Sequence, residues 1–144
     1  GKVSLSLEEN SSEKMDSIVY IGGFEGLDTP LLVVRREENP GGESPRLYGN
    51  LFLVTQRRVT TRLLANELTR IKALGGSKAD DPEERGRRIR LMMGFVAWEA
   101  GELKEELKLG AWHVIEPDPE LVFRRPEGLW EELVKEAERR ANMI

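Results

Sequence analysis

The sequence predicts an α+β domain: a mainly antiparallel sheet of about four to six strands, an αα-hairpin containing one long central helix, and a C-terminal helix. Three observations carry this. Apolar segments joined by short polar connections fill the first 55 residues, the pattern of successive antiparallel strands. Two segments after residue 55 carry helical apolar spacing, at 60–74 and 127–142. Between them, Pro82 to Leu109 encloses the run LMMGFVAW, eight residues whose first polar atom is the indole nitrogen of Trp98.

Taken in order, Lys2 to Leu7 alternates Val3, Leu5 and Leu7 with serines, as a strand with one wet face does. Ser17 to Ile21 (SIVYI) is a more apolar strand that runs into the glycines of IGGFEG. Leu31 to Arg36 (LLVVRR) is a third strand, and EENPGGESP, without an apolar residue, is a mobile loop. Leu47 to Thr55 is a fourth strand with Gly49 as a bulge or a close backbone approach.

Thr60 or Thr61 caps the next helix, whose Leu63, Leu64, Leu68, Ile71 and Leu74 form one stripe. The long helix follows, with Asp80 or Asp81 as N-cap, Pro82 at its first position and Gly110 as its stop. Unbroken, it is roughly 42 Å long, although Gly101 is placed to divide it. Its basic start, RGRRIR, and acidic end, EAGELKEELK, oppose the helix dipole. Trp112 to Ile115 and Leu121 to Arg124 read as short strands around the stiff corner EPDPE, and Pro126 opens the last helix with Trp130 facing inward.

The 144 residues have no internal linker, which predicts a single domain over 1–144. The absence of Cys and the single His exclude a disulfide framework, a thiol nucleophile and Cys/His zinc ligation. Neither a secretory leader nor a membrane-length apolar span is visible, so a cytoplasmic protein without a membrane partner is expected. A net charge of −4 argues against indiscriminate coating of nucleic acid.

The candidate chemistry is sparse. IGGFEG lacks the GxGxxG spacing, and GGSK has the wrong order for a P-loop, so both read as turns. Glu116, Asp118 and Glu120 alternate in EPDPE and in an extended chain project three carboxylates to one side, a possible hard-cation site near His113. No nucleophile motif accompanies the histidine, no calcium-loop spacing accompanies the acids, and no cofactor is called for.

Arginines cluster at Arg57, Arg58 and Arg62, at Arg85, Arg87, Arg88 and Arg90, and at Arg124 and Arg125. Arg57, Arg58, Arg62, Arg85 and Arg90 are the candidate anion or nucleic-acid contacts, because guanidinium forks near helix starts bind oxyanions. Met92, Met93 and Trp98 are the candidate protein interface, since the apolar run covers more of its helix than one fold can shield. The leading expectation is a non-enzymatic interaction subunit that pairs with itself or docks in a larger complex. An accessory RNA- or DNA-binding protein is the alternative, and a small enzyme or metal-binding protein around His113 is the third.

With 15 Arg, 21 Glu and a single Gln, the chain is rich in ion-pairing residues and poor in thermolabile ones. Its thermal midpoint should therefore lie above about 65 °C, the upper edge of the mesophile range. Scanning calorimetry reporting a midpoint inside that range would contradict the compositional reading.

Overall fold

The computed structural model describes residues 2–6, 14–76 and 88–143, with side-chain burial defined from Val19 onward. It is a mixed α+β structure whose chain divides into two compact units, residues 1–96 and 97–144. The first unit holds a six-stranded sheet: β1 (Lys2–Ser6), β2 (Lys14–Ile21), β3 (Glu25–Arg35), β4 (Arg46–Tyr48), β5 (Leu51–Val54) and β6 (Ile89–Phe95). The strand order is β1-β2-β6-β3-β5-β4. Every pairing is antiparallel except that of β2 with β6, which is parallel.

The central finding is β6. The expected long helix over 82–109 is not formed, because its apolar middle is the strand Ile89–Phe95, lying between β2 and β3. A strand covered on both faces needs no alternation and reads as a continuous apolar run, which periodicity cannot separate from a buried helix. The unfavourable dipole arrangement was a sign of this, since it exists only if the segment is helical. The expected N-cap, Asp80 or Asp81 with Pro82, lies outside the described residues. The αα-hairpin disappears with the long helix. Among the described residues of this segment, the helical part is α2 (Glu102–Lys108), entered through Gly101 at φ 95°.

One side of the sheet packs on helix α1 (Arg57–Leu74). Register places Leu32 opposite Leu91 and Val54, and Val34 opposite Ile89 and Phe52. These side chains join Val19 and the helix residues Val59, Leu63 and Leu64 in one buried core. Helix α1 begins a turn earlier than expected, at Arg57 after Gln56, and neither Thr60 nor Thr61 caps it. Val59 sits four residues before Leu63, so the apolar stripe itself extends the helix back through the arginines.

The expected strand 47–55 is a hairpin instead. Gly49 at φ 55° and Asn50 turn β4 into β5, and Tyr48 pairs with Leu51. Such a turn needs positive φ, which glycine supplies without strain. The loop before it is held by its own bonds. Gly41 N–H donates to Asn39 Oδ1 at 2.9 Å, Asn39 Nδ2 to Ser44 O at 3.0 Å, and Ser44 Oγ to Gly41 O at 2.7 Å.

In the second unit no strand is found among the described residues. Trp112 to Ile115 is irregular, and Pro119–Phe123 is a 3₁₀ turn capped by the Asp118 carboxylate, which accepts from Glu120 N at 2.9 Å. Pro117 and Pro119 offer no N–H to a ladder, so a strand is disfavoured here. Helix α3 (Leu129–Ala141) closes the unit. Trp130, expected inward, is 73% exposed.

Phe52 is 1% exposed and Phe95 37%, so the two phenylalanines should separate in urea titrations. Phe52→Ala should cost about 3 to 5 kcal/mol and Phe95→Ala distinctly less. Equal losses would place Phe95 in the core and contradict this account of β6.

Candidate interaction surface

The β2–β3 turn and the end of β6 meet at one end of the sheet's central strands through close backbone contact. Gly22 N–H donates to Met93 O at 2.9 Å. A Cβ on Gly23 would overlap the carbonyl of Phe95, and one on Gly94, at φ 75°, would overlap the carbonyl of Gly23. Only glycine allows this approach. The IGGFEG glycines therefore do make a turn, as the sequence indicates, and the turn is clamped against β6.

Clamping the turn pushes its side chains outward. Phe24 is 93% exposed, Ile21 68% and Leu27 51%, with Val96 and Phe95 beside them at the end of β6. Register ties them together, since Ile21 pairs with Met93 and Glu25 with Phe95. Apolar residues exposed singly are ordinary, but five gathered at one edge form a patch of the kind that marks a contact surface. Glu25 and Asp28 flank it. Sequence reading passed over Phe24 because a phenylalanine inside a glycine turn has no periodicity; its place between Gly23 and Glu25, where nothing in the turn can cover it, was the available signal.

Of the residues expected to form an interface, Met92 and Met93 do not share a face. Met92 and Met93 are successive residues of β6 and so point to opposite faces. Met92 stands opposite Tyr20 and Leu31, while Met93 packs at the margin of the core. Trp98 belongs to the second unit.

The expected basic contacts that are described have different settings. Arg57 and Arg58 are exposed in the first turn of α1. Arg62 donates to Pro40 O and so ties the loop to the helix. Arg90 is only 7% exposed, with its guanidinium 4.2 Å above the Tyr20 ring, and Arg85 lies outside the described residues. Arg124 Nη1 and Nη2 donate to Glu132 Oε1 and Oε2 at 2.8 and 2.6 Å.

The acidic corner has structural employment. Glu116 accepts from Arg140 at 2.6 Å, and Asp118 caps the 3₁₀ turn. Among the described residues no three His, Asp or Glu side chains are grouped to hold a metal ion. His113 is exposed on an irregular segment.

A different acid organises the second unit. Glu106 Oε2 accepts from Trp98 Nε1 at 3.0 Å and from Trp112 Nε1, and the two indoles meet edge to face with centroids 5.2 Å apart. Hydrogen bonds from Trp98 and then Trp112 hold the Glu106 carboxyl below its ordinary range. A depressed carboxylate contributes stability above the unfolded-state value and loses it as pH falls through the folded one. Indole fluorescence should therefore shift on acidification below about pH 4, and Glu106→Gln should remove that step. An unchanged acid transition in the variant would show that Glu106 does not hold the two indoles.

The comparisons with known proteins follow the fold. A UPF0301 protein of Idiomarina loihiensis is 29% identical over 125 residues, covering 87% of this chain and 57% of the relative. A UPF0301 protein of Streptomyces avermitilis is 30% identical over 136 residues, covering 88% and 59%. The chain thus spans a little over half the length of the relatives it matches. The solution structure of the AlgH protein from Pseudomonas aeruginosa superposes with a TM-score of 0.54 at 22% identity, over 83% of this chain and 53% of that one. That likeness supports the fold. The AlgH-like family (DUF179) matches residues 2–142, nearly the whole sequence, and the chain belongs to that family.

Proposed function

We propose that the chain, acting as one domain, is a non-enzymatic interaction subunit of a cytoplasmic assembly, and that its contact surface is the apolar edge of the sheet. The observation that carries this is the exposure of Phe24, at 93%, on a turn fixed by its glycines. A large apolar side chain held in water on a rigid support loses little conformational entropy when a partner covers it. Such anchors dominate binding energy when they enter a pocket. The expected self-association is kept in this reading, but its surface moves from the apolar run to the end of the sheet.

The first partner to test is a second copy, with Ile21, Phe24 and Leu27 as the buried centre. A second reading, an accessory RNA- or DNA-binding protein, rests on Arg57 and Arg58, exposed side by side in the first turn of α1. The dispersal of the other arginines favours the first reading. Light scattering across the micromolar range should show association that Phe24→Glu removes. A chain that stays monomeric, and whose Phe24→Glu variant retains every partner cross-linked to the unaltered protein, would overturn the proposal.

A further inference from the structure

The negative charge of the chain is not shared evenly between its two units. Residues 97–144 hold 12 Asp and Glu against 7 Lys and Arg, whereas residues 1–96 hold 14 against 15, so the second unit carries a net −5 and the first +1. The second unit also keeps little of its apolar surface from water. Of its described apolar residues only Ala137 is buried, while Ile115, Leu121 and Leu133 are half-buried.

Those three side chains line an open groove of about 640 Å³ between residues 115–124 and α3. Two ion pairs join its walls, Arg140 to Glu116 at 2.6 Å and Arg124 to Glu132 at 2.6 Å, so its shape is set by bonds within the unit. Among the described residues that line it, five are carboxylates and three are cations. Internal pairing cancels part of this charge and leaves an acidic excess, in which Glu131 stands exposed on α3. An open groove encloses too little of a small ligand to hold it by burial. It suits the apolar face of a helix, which offers side chains at every third or fourth position. A second copy of this unit would bring the same negative charge, whereas a cationic partner is drawn by the field that would repel the copy.

We propose that the groove between residues 115–124 and α3 is a docking site for a cationic amphipathic helix of a partner protein, with the partner's apolar side chains on Leu121 and Leu133 and its Lys or Arg residues toward Glu131 and the acidic rim. The surface shares no residue with the Phe24 turn, so either can fail without the other.

A fluorescein-labelled peptide of Leu and Lys alone, ordered so that its helix carries leucine on one face, is titrated with the full chain and followed by anisotropy. Saturable binding is expected, weakened about tenfold or more by Leu121→Gln. Glu131→Lys should weaken it too and flatten its salt dependence. Trp130→Gln removes an exposed indole of α3 that does not line the groove, and should leave binding unchanged. If Leu121→Gln fails to fold, Glu131→Lys carries the comparison, since its side chain is exposed. Absence of saturable binding, or equal binding of a peptide with the same composition in scrambled order, would overturn the site, the second result by reducing the effect to charge attraction. Self-association that Leu121→Gln abolishes in light scattering would make a second copy the occupant and also overturn it.

Discussion

The burial of β6 between β2 and β3 is the constraint on which the first unit depends. Leu91 and Ile89 fill the space between Leu32, Val34 and the face of α1, while Arg90 and Met92 lie on the other face beside Val33 and Leu31. A strand in this position satisfies its N–H and C=O groups on both edges, and moving it would orphan both neighbours. It also fixes register. A slip of one residue would send Arg90 into the α1 core and Leu91 out of it.

Much of the first unit was legible. The alternation of Lys2 to Leu7, the runs SIVYI and LLVVRR, and the stripe Leu63, Leu64, Ile71 each led to the element that forms, because each carries a period or a bounded length of its own. The failures share a physical cause. LMMGFV has no period because Leu91 is buried, the two methionines on opposite faces are half-buried and its end is exposed apolar residues, and LYGNLFLV hides a reversal that depends on one glycine at positive φ. WHVI and LVFR have strand-like composition, but prolines on either side of Asp118 withhold ladder donors and leave no strand for them to join.

Site residues were less legible than elements, and the arginines show why. Neighbours in sequence such as Arg88 and Arg90 shared a cluster on paper, yet one stands at a strand end and the other is enclosed over Tyr20. Conversely, Arg35 and Arg88 are far apart in sequence and become neighbours only through strand pairing. Phe24 shows the same limit from the other side. The turn that carries it is clamped through the carbonyls of Gly23 and Phe95, a long-range contact that periodicity does not report.

The two ends of the sheet are consequences of one register. β3 passes from apolar residues at Pro30–Leu31 to Arg35, with Arg36 just beyond it, and β6, which Arg88 precedes, passes from Arg90 to Met93 and Phe95. Because the strands run antiparallel, alignment of their apolar segments sets Arg35 beside Arg88 at one end and Pro30 and Leu31 beside Met93 and Met92 toward the other. Like charges directly opposite across a strand pair are unfavourable, so hydrophobic registry wins here against electrostatics. The core residues Leu32, Val34, Ile89 and Leu91 are each 6% exposed or less, and burying four such side chains is worth roughly 1.5 to 3 kcal/mol apiece. A half-exposed cross-strand repulsion costs less than about 1 kcal/mol. The core therefore dictates the placement of the basic end.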